Sequence, residues 1–438
     1  MKKLLFSFSG LLMLLSLTMF SVSCKKEEDQ PEIAGKTIAE IVSTDPNFSL
    51  LKKAVDKAGL GTALSSKTSS YTIFAPDNEA FAASGITEAD INSMPVLQLA
   101  QILKYHVVDG KFVSSSISNN STLKTLTGIT VKTTKNGEEV LINKTKVKTA
   151  NLIATNGVIH IIEKVLFPTI TDIVVDDPNF SILKAAVVRA GLADDLASGS
   201  LTVFAPDNAA FAASGIDEAA VNSLPLQDLT NILLYHVVGA KVPSSAVPAS
   251  DTVNTLLTTN IYASKNTNGV FMNGIAVKAA DVQAANGVIH VVSKVLIPPT
   301  KTIAEIVSAD PELSLLLAAV LRAGLADAVS GEGKFTVFAP TNDAFIAAGF
   351  ADAAAINAAD EATVAAIVNA HVLTTNVFAS DLSDGAKVVT LDTTKSLLVG
   401  TTPPSVKIDG SANAASNIIN ANITATNGVI HKIDKVLQ

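Results

Sequence analysis

One heptapeptide recurs three times and limits what this chain can be. Ala154-Thr155-Asn156-Gly157-Val158-Ile159-His160 returns as Ala284-Ala285-Asn286-Gly287-Val288-Ile289-His290. It returns again as Ala425-Thr426-Asn427-Gly428-Val429-Ile430-His431, and Lys-Val-Leu follows each copy within a few residues. A second block keeps a similar period: Asp77 has its counterpart in Asp207, 130 residues on, and in Thr341, a further 134. That spacing is too long for a solenoid unit and suits an independent domain. The chain therefore reads as three copies of one module, over residues 36–168, 169–299 and 300–438. The joints Phe167-Pro168 and Pro298-Pro299 are short and stiffened by proline, so a semi-rigid rod is expected.

Each module changes character halfway. Asp45-Pro46 opens a helix, with Asp as cap and Pro at the first helical position. Phe48, Leu51, Val55 and Ala58 mark its apolar face, and Gly59 is placed to end it in a left-handed turn. The pattern recurs at Asp177-Pro178 with Gly191 and at Asp310-Pro311 with Gly324. The run from Tyr71 reads as a buried strand ended by Pro76, after which Asp77 or Asn78 caps a short helix carrying Phe81. Pro95 to Tyr105 is a helix running into a strand at His106-Val107-Val108. The second half, rich in Thr, Val, Asn and Gly, reads as several strands closed by the heptapeptide, whose Asn-Gly is a two-residue hairpin signal. The expected fold class is α+β.

Composition narrows the function. A net charge of −8 with no basic stripe argues against nucleic-acid binding. The single cysteine, Cys24, leaves no intrachain disulfide, so each module stands on packing alone. Lys2 and Lys3 precede an apolar stretch from Leu4 to Phe20, and Ser21 and Ser23 flank Val22 before Cys24. Residues 1–23 therefore read as a signal peptide. The lone Cys resembles the lipobox of bacterial lipoproteins, which implies lipidation at Cys24 and attachment to a membrane through the lipid. A retained transmembrane anchor is the alternative. Residues 24–35 form a tether. Its Lys25-Lys26-Glu27-Glu28-Asp29 is either a solvated spacer or, by resemblance, a surface-export signal of Bacteroidetes lipoproteins. An outer-membrane lipoprotein is expected, surface-exposed or, alternatively, periplasm-facing.

The order Thr-Val-Phe-Ala-Pro-(Thr/Asp)-Asn-x-Ala-Phe, then Tyr-His, then Asn-Gly-Val-Ile-His, resembles the fasciclin-type domain, three times over. The resemblance implies wedge-shaped modules in which a β-sandwich is packed with N-terminal helices. It also implies a secreted or surface-anchored protein associated with adhesion, whose partner is extracellular matrix, a glycan or a protein.

The chemistry-bearing residues are few. His106, His160, His236, His290, His371 and His431 fall two to a module. They are either metal or acid–base pairs or hydrogen-bonded core residues. Spacing favours the core. His106 follows Leu99, Ile102 and Leu103 on an apolar helix face, and His236 and His371 repeat this. Val158, His160 and Ile162 share a strand face; Lys432 stands on the opposite face in the third copy, which reads as the face open to water. Asp77, Asp207 and Thr341 share capping ability and not carboxylate chemistry, so they read as helix caps. Tyr105 and Tyr235, replaced by Ala370 in the third module, are the recognition candidates, because Tyr-His resembles the segment to which adhesion is attributed in animal fasciclin domains. There is no Cys-x-x-Cys, His-Glu-x-x-His, nucleophile elbow or dinucleotide glycine pattern. No catalytic residue, metal or cofactor is expected. The leading expectation is a surface-anchored adhesion or interaction protein. The alternatives are a small-ligand or metal-binding protein or enzyme using the paired histidines, and a periplasm-facing structural spacer.

Overall fold

The computed structural model describes residues 35–326, 331 and 333–438. The signal segment, Cys24 and all of the tether except Gly35 lie outside the described residues.

Module 1 sets the pattern for all three. Thr37 caps α1 (Ile38–Thr44): its hydroxyl accepts from the Glu40 N–H, and the Glu40 carboxylate accepts from the Thr37 N–H. Asp45 caps one 3-10 turn, and α2 (Ser49–Ala58) follows, ended by Gly59 at φ 69°. Glycine takes that left-handed conformation without a Cβ clash. Then come α3 (Gly61–Ser65), α4 (Asn78–Ala83), α5 (Glu88–Ser93) and α6 (Val96–Tyr105). Lys57 on α2 donates to the carbonyls of Ile91, Asn92 and Met94, which places a cation at the negative end of α5. Arg189 and Arg322 make the same kind of contact in modules 2 and 3.

The strands are β1 (Tyr71–Pro76), β2 (Val107–Asp109), β3 (Ser121–Lys124), β4 (Thr130–Asn136), β5 (Glu139–Ile142), β6 (Thr145–Ala154) and β7 (Gly157–Ile162). They form one sheet in the order β2-β1-β7-β6-β5-β4-β3, in which only β1 and β7 run parallel. The long β6 breaks register between Thr149 and Leu152, where Asn151 takes φ 62°, and so serves both halves of the sheet. The sheet curls until Val108 pairs with Thr125. The other modules repeat this strand order. The fold is α+β, three times in tandem.

Two cores lie on opposite faces of β1 and β7. Ile73, Ala75 and Ile159 face the helices, against Phe48, Leu51 and Leu103. Phe74 and Ile162 face the curled sheet, against Tyr105, Val131 and Ile142. Burial on both faces explains the continuous apolar run of β1. It also corrects one expectation. The face opposite the histidine is not open to water: Lys432 is 8% exposed. Its ammonium lies 2.6 Å from both Asp310 and Glu312, so an ion pair rather than solvent satisfies it.

The heptapeptide makes a hairpin, with a different turn from the one expected. Ala154 pairs with Gly157, which leaves Thr155-Asn156 as the two-residue turn and Gly157 as the first strand residue. A Cβ on Gly157 would stand 2.0 Å from the Tyr71 carbonyl oxygen. Only glycine lets β1 come this close. Gly287 and Gly428 stand in the same relation to Leu201 and Phe335. The asparagine beside each glycine is a clamp. Asn156 accepts from the Ile38 N–H at the start of α1 and donates to the Leu64 and Ser66 carbonyls at the C-terminal end of α3.

The two joints differ. Two residues, Phe167-Pro168, separate the anchored Leu166 from the cap Thr169; five, Ile297 to Lys301, separate Leu296 from Thr302. At the short joint, Gln98 Nε2 donates to the Asp281 carbonyl at 2.6 Å, and Thr130 donates through N–H and hydroxyl to Asp176. At the long joint, module 3 seats elsewhere on its neighbour. Tyr262 stacks on Phe378 with ring centroids 5.2 Å apart, Asn266 donates to the Ser380 carbonyl, and Lys334 faces Asp251.

Candidate interaction site

The six histidines occupy two kinds of position. His106, His236 and His371 end the helix whose first-module copy is α6. Nδ1 of each donates to the carbonyl four residues back, Ile102, Ile232 or Ile367, at 2.7–2.8 Å. Nε2 of each accepts the backbone N–H of Leu166, Leu296 or Leu437 at 2.8–2.9 Å. A carbonyl only accepts and an N–H only donates, so these rings are neutral with the proton on Nδ1. Burial holds all three at about 4, well below the ordinary 6.5, despite the opposing pull of the carbonyl. The spaces beside them are apolar gaps of about 100, 40 and 50 Å³.

His160, His290 and His431 carry the opposite tautomer. Their Nε2 donates to the carbonyls of Phe112, Val242 and Val377 at 2.8–2.9 Å. Their Nδ1 accepts the backbone N–H of Asn151, Asp281 and Asn422 at 3.2–3.4 Å. Each ring also stacks on a phenylalanine, Phe74, Phe204 or Phe338. Burial lowers the pKa of His160 and His431. In all six rings both nitrogens are engaged with backbone, so no lone pair is free to bind a metal or accept a substrate proton. Among the described residues no group of three or more His, Cys, Asp or Glu side chains is placed to hold a metal ion.

The tyrosines require a correction. Tyr105 is 1% exposed and Tyr235 0%, so neither meets a partner at the folded surface. The Tyr105 hydroxyl donates to the Thr130 carbonyl and accepts from Asn143 Nδ2 at 2.7 Å. Tyr235 repeats this with Asn260 and Asn273. Burial raises both phenols, Tyr235 to about 12. Thr130 is also the residue that bonds Asp176 of module 2, so the Tyr105 bonds sit directly behind the short joint.

Asp77 and Asp207 accept from the Ala80 and Ala210 N–H at 2.8 Å, and Thr341 from Ala344 at 3.4 Å. Each aspartate also pairs with a lysine, Lys148 or Lys278, and Ile419 stands at the corresponding place in module 3. Asn78, which the sequence offered as an alternative cap, has another role, and so do its counterparts. Asn78, Asn208 and Asn342 accept from the first turn of the long helix and donate to the proline carbonyl before it. Their recurrence in all three modules was the available signal.

What the modules leave exposed is the short joint. A cleft of about 810 Å³ opens there. Module 1 contributes Asp90, Met94, Pro95, Gln98, Asn143, Lys164 and Phe167; module 2 contributes Lys241, Pro243, Ser245, Asp281 and Gln283. This cleft is polar, rich in amide and hydroxyl groups, and built from both modules, as ligand sites between domains commonly are.

Comparison with known proteins bears on this arrangement. The chain is 28% identical to transforming growth factor-beta-induced protein ig-h3 of Sus scrofa over 412 residues, covering 92% of this chain and 57% of that protein. It is 26% identical to human periostin over 411 residues, 92% of this chain and 47% of periostin. One module is 36% identical to the immunogenic protein MPB70 of Mycobacterium bovis over 133 residues, 28% of this chain and 66% of that protein. The chain thus spans about half the length of ig-h3 and periostin. Among solved structures it resembles a domain pair of the insect cell adhesion molecule fasciclin I at 21% identity and a TM-score of 0.31, covering 59% of this chain and 95% of the pair. The fasciclin domain model matches residues 46–168, 178–298 and 311–438, and the chain belongs to the fasciclin family, with three such domains in tandem.

Proposed function

We propose that this chain is an adhesion or extracellular interaction protein and not an enzyme: three fasciclin domains, over residues 36–168, 169–299 and 300–438, displayed from a membrane through a lipid on Cys24. The observation that carries this reading is the engagement of every histidine nitrogen with backbone, which leaves no histidine free to act as a ligand or a base. The bonded joints add to it, since domains fixed to one another present one continuous surface to a matrix, a glycan or a protein. Association with adhesion is a family property. Display on the outer-membrane surface rests on the leader and the charged run after Cys24. Among the described residues no helix is long and apolar enough to cross a membrane.

Gene deletion and complementation test the function. Cells lacking the protein should attach less to matrix or to other cells, and the wild-type chain should restore attachment. Unchanged attachment would count against the proposal. Protease treatment of whole cells tests display: a protected ectodomain would exclude the surface. Mass spectrometry that finds no acyl chain on Cys24 of the mature protein would exclude the lipid anchor.

A further inference from the structure

We propose that Asn136, at the β4–β5 turn of domain 1, is a site of spontaneous conversion to aspartyl and isoaspartyl residues, and that the fold protects the other Asn-Gly pairs from the same reaction. The chain has six such pairs, beginning at Asn136, Asn156, Asn268, Asn273, Asn286 and Asn427. What separates them is structure.

The reaction is intramolecular. The backbone nitrogen of the glycine loses its proton and attacks the asparagine Cγ. A new C–N bond closes a succinimide ring, the Cγ–Nδ2 bond breaks, and the amide nitrogen leaves as ammonia with that proton. Water then opens either ring carbonyl. The product is an aspartyl residue or an isoaspartyl residue whose main chain runs through Cγ. Water is the only co-reactant. Glycine favours the attack because no Cβ crowds its nitrogen and its backbone turns freely. The reaction therefore needs an asparagine amide free to rotate, a glycine N–H free of an acceptor, and access for water.

Asn136 meets all of these needs. It is exposed, and its side chain has no hydrogen-bond partner among the described residues. It is the last residue of β4 and pairs with Glu139, which leaves Gly137-Glu138 as the turn. The Gly137 N–H therefore lies outside the ladder and meets no backbone acceptor among the described residues. Gly137 takes φ 64° with nothing near its missing Cβ, so the turn can open locally without disturbing the core.

Each of the other pairs fails on at least one count. Asn156, Asn286 and Asn427 accept from the N–H that begins the first helix of their domain, that of Ile38, Ile170 or Ile303. Their amide nitrogens donate to carbonyls as well, which holds the group against rotation. Asn273 is 7% exposed, accepts from the Tyr262 N–H and donates to the Tyr235 hydroxyl. Asn268 is the closest comparison. It is exposed like Asn136, but Gly269 pairs with Asn266 across its hairpin, so the attacking nitrogen belongs to the ladder. Asn266 itself, the domain 2 counterpart of Asn136, is followed by Thr267 and donates to the Ser380 carbonyl.

The product alters the hairpin. A carboxylate at position 136 stands directly opposite Glu139, and like charges in that relation repel. The isoaspartyl form also lengthens the main chain by a methylene and breaks the register. The turn thus gains negative charge and loosens as the molecule ages.

The test incubates the full three-domain chain for weeks at mildly alkaline pH in water enriched in heavy oxygen, which labels each conversion as it occurs. Peptide mapping with electron-based fragmentation locates the label and separates aspartyl from isoaspartyl products. Label should appear first at Asn136, faster than at every other pair by roughly tenfold or more, because a protected site must open before attack. In denaturant all the pairs should convert at similar rates, which assigns the difference to the fold. Asn136→Gln should abolish the early label, since glutamine closes the corresponding larger ring far more slowly, and should leave thermal unfolding unchanged. Label at Asn268 or at a clamped asparagine as fast as at Asn136, no label at Asn136, or the same ranking of sites in denaturant would each overturn the proposal.

Discussion

His106 accepts the backbone N–H of Leu166 on Nε2 at 2.8 Å. One ring thereby joins the end of α6 to the last anchored residue before the linker, and His236 and His371 do the same for Leu296 and Leu437. The bond ties the helical half of each domain to its exit strand, so the domain and the joint beyond it share a support.

Replacing that ring should cost stability. His106→Ala leaves the Ile102 carbonyl and the Leu166 N–H without partners in a buried place and opens a cavity. A loss on the order of 3–5 kcal/mol in domain 1 is expected. Urea unfolding followed by a probe in each domain measures it, and domain 3 should be unaffected.

The same rings set a pH dependence. Their folded pKa of about 4 lies below the ordinary 6.5, so the unfolded chain takes up protons first as the solution is acidified. The stability they confer is complete above 6.5 and is lost as pH falls through 4. It amounts to about 3 kcal/mol per domain. Unfolding free energies at a series of pH values from 7.5 to 4 should fall monotonically; a flat profile over that range would count against neutral burial.

The glycine of the heptapeptide should tolerate no side chain. In Gly157→Ala the new Cβ would stand 2.0 Å from the Tyr71 backbone oxygen, where no flexible group can move aside. A penalty on the order of 3–5 kcal/mol is expected, confined to domain 1. Gly137 has no atom near its missing Cβ and takes φ 64°, so Gly137→Asn is the matched control and should change stability little.

The two joints should respond differently to loss of the ring pair. Phe378→Ala removes the stack with Tyr262 across the five-residue linker and should widen the distribution of distances between domains 2 and 3. Spin-label distances between domains 1 and 2 should keep their wild-type width, because Gln98, Thr130 and the two-residue linker hold that joint.

Much of this was legible in the sequence, for physical reasons. The caps and the left-handed glycines are local chemistry, and they stand where the pattern placed them. Strand alternation failed at Lys432 because a strand buried on both faces has no solvent side, and the partners that make the lysine tolerable, Asp310 and Glu312, lie far away in sequence. The tyrosines misled for a related reason. A ring whose hydroxyl bonds Thr130 and Asn143 across the sheet looks, in sequence, like any amphipathic surface ring. The cleft could not be read at all. It depends on where domain 2 comes to rest, and the only hint was a linker three residues shorter at the first joint than at the second.

The central claim is that the paired histidines build the frame of each domain and perform no chemistry. Long-range proton–nitrogen spectra of the imidazole rings at neutral pH test it most directly. The structure predicts six neutral rings, with His106, His236 and His371 protonated on Nδ1 and His160, His290 and His431 on Nε2, all unmoved by added zinc. A ring that averages its tautomers or shifts on addition of zinc would contradict it.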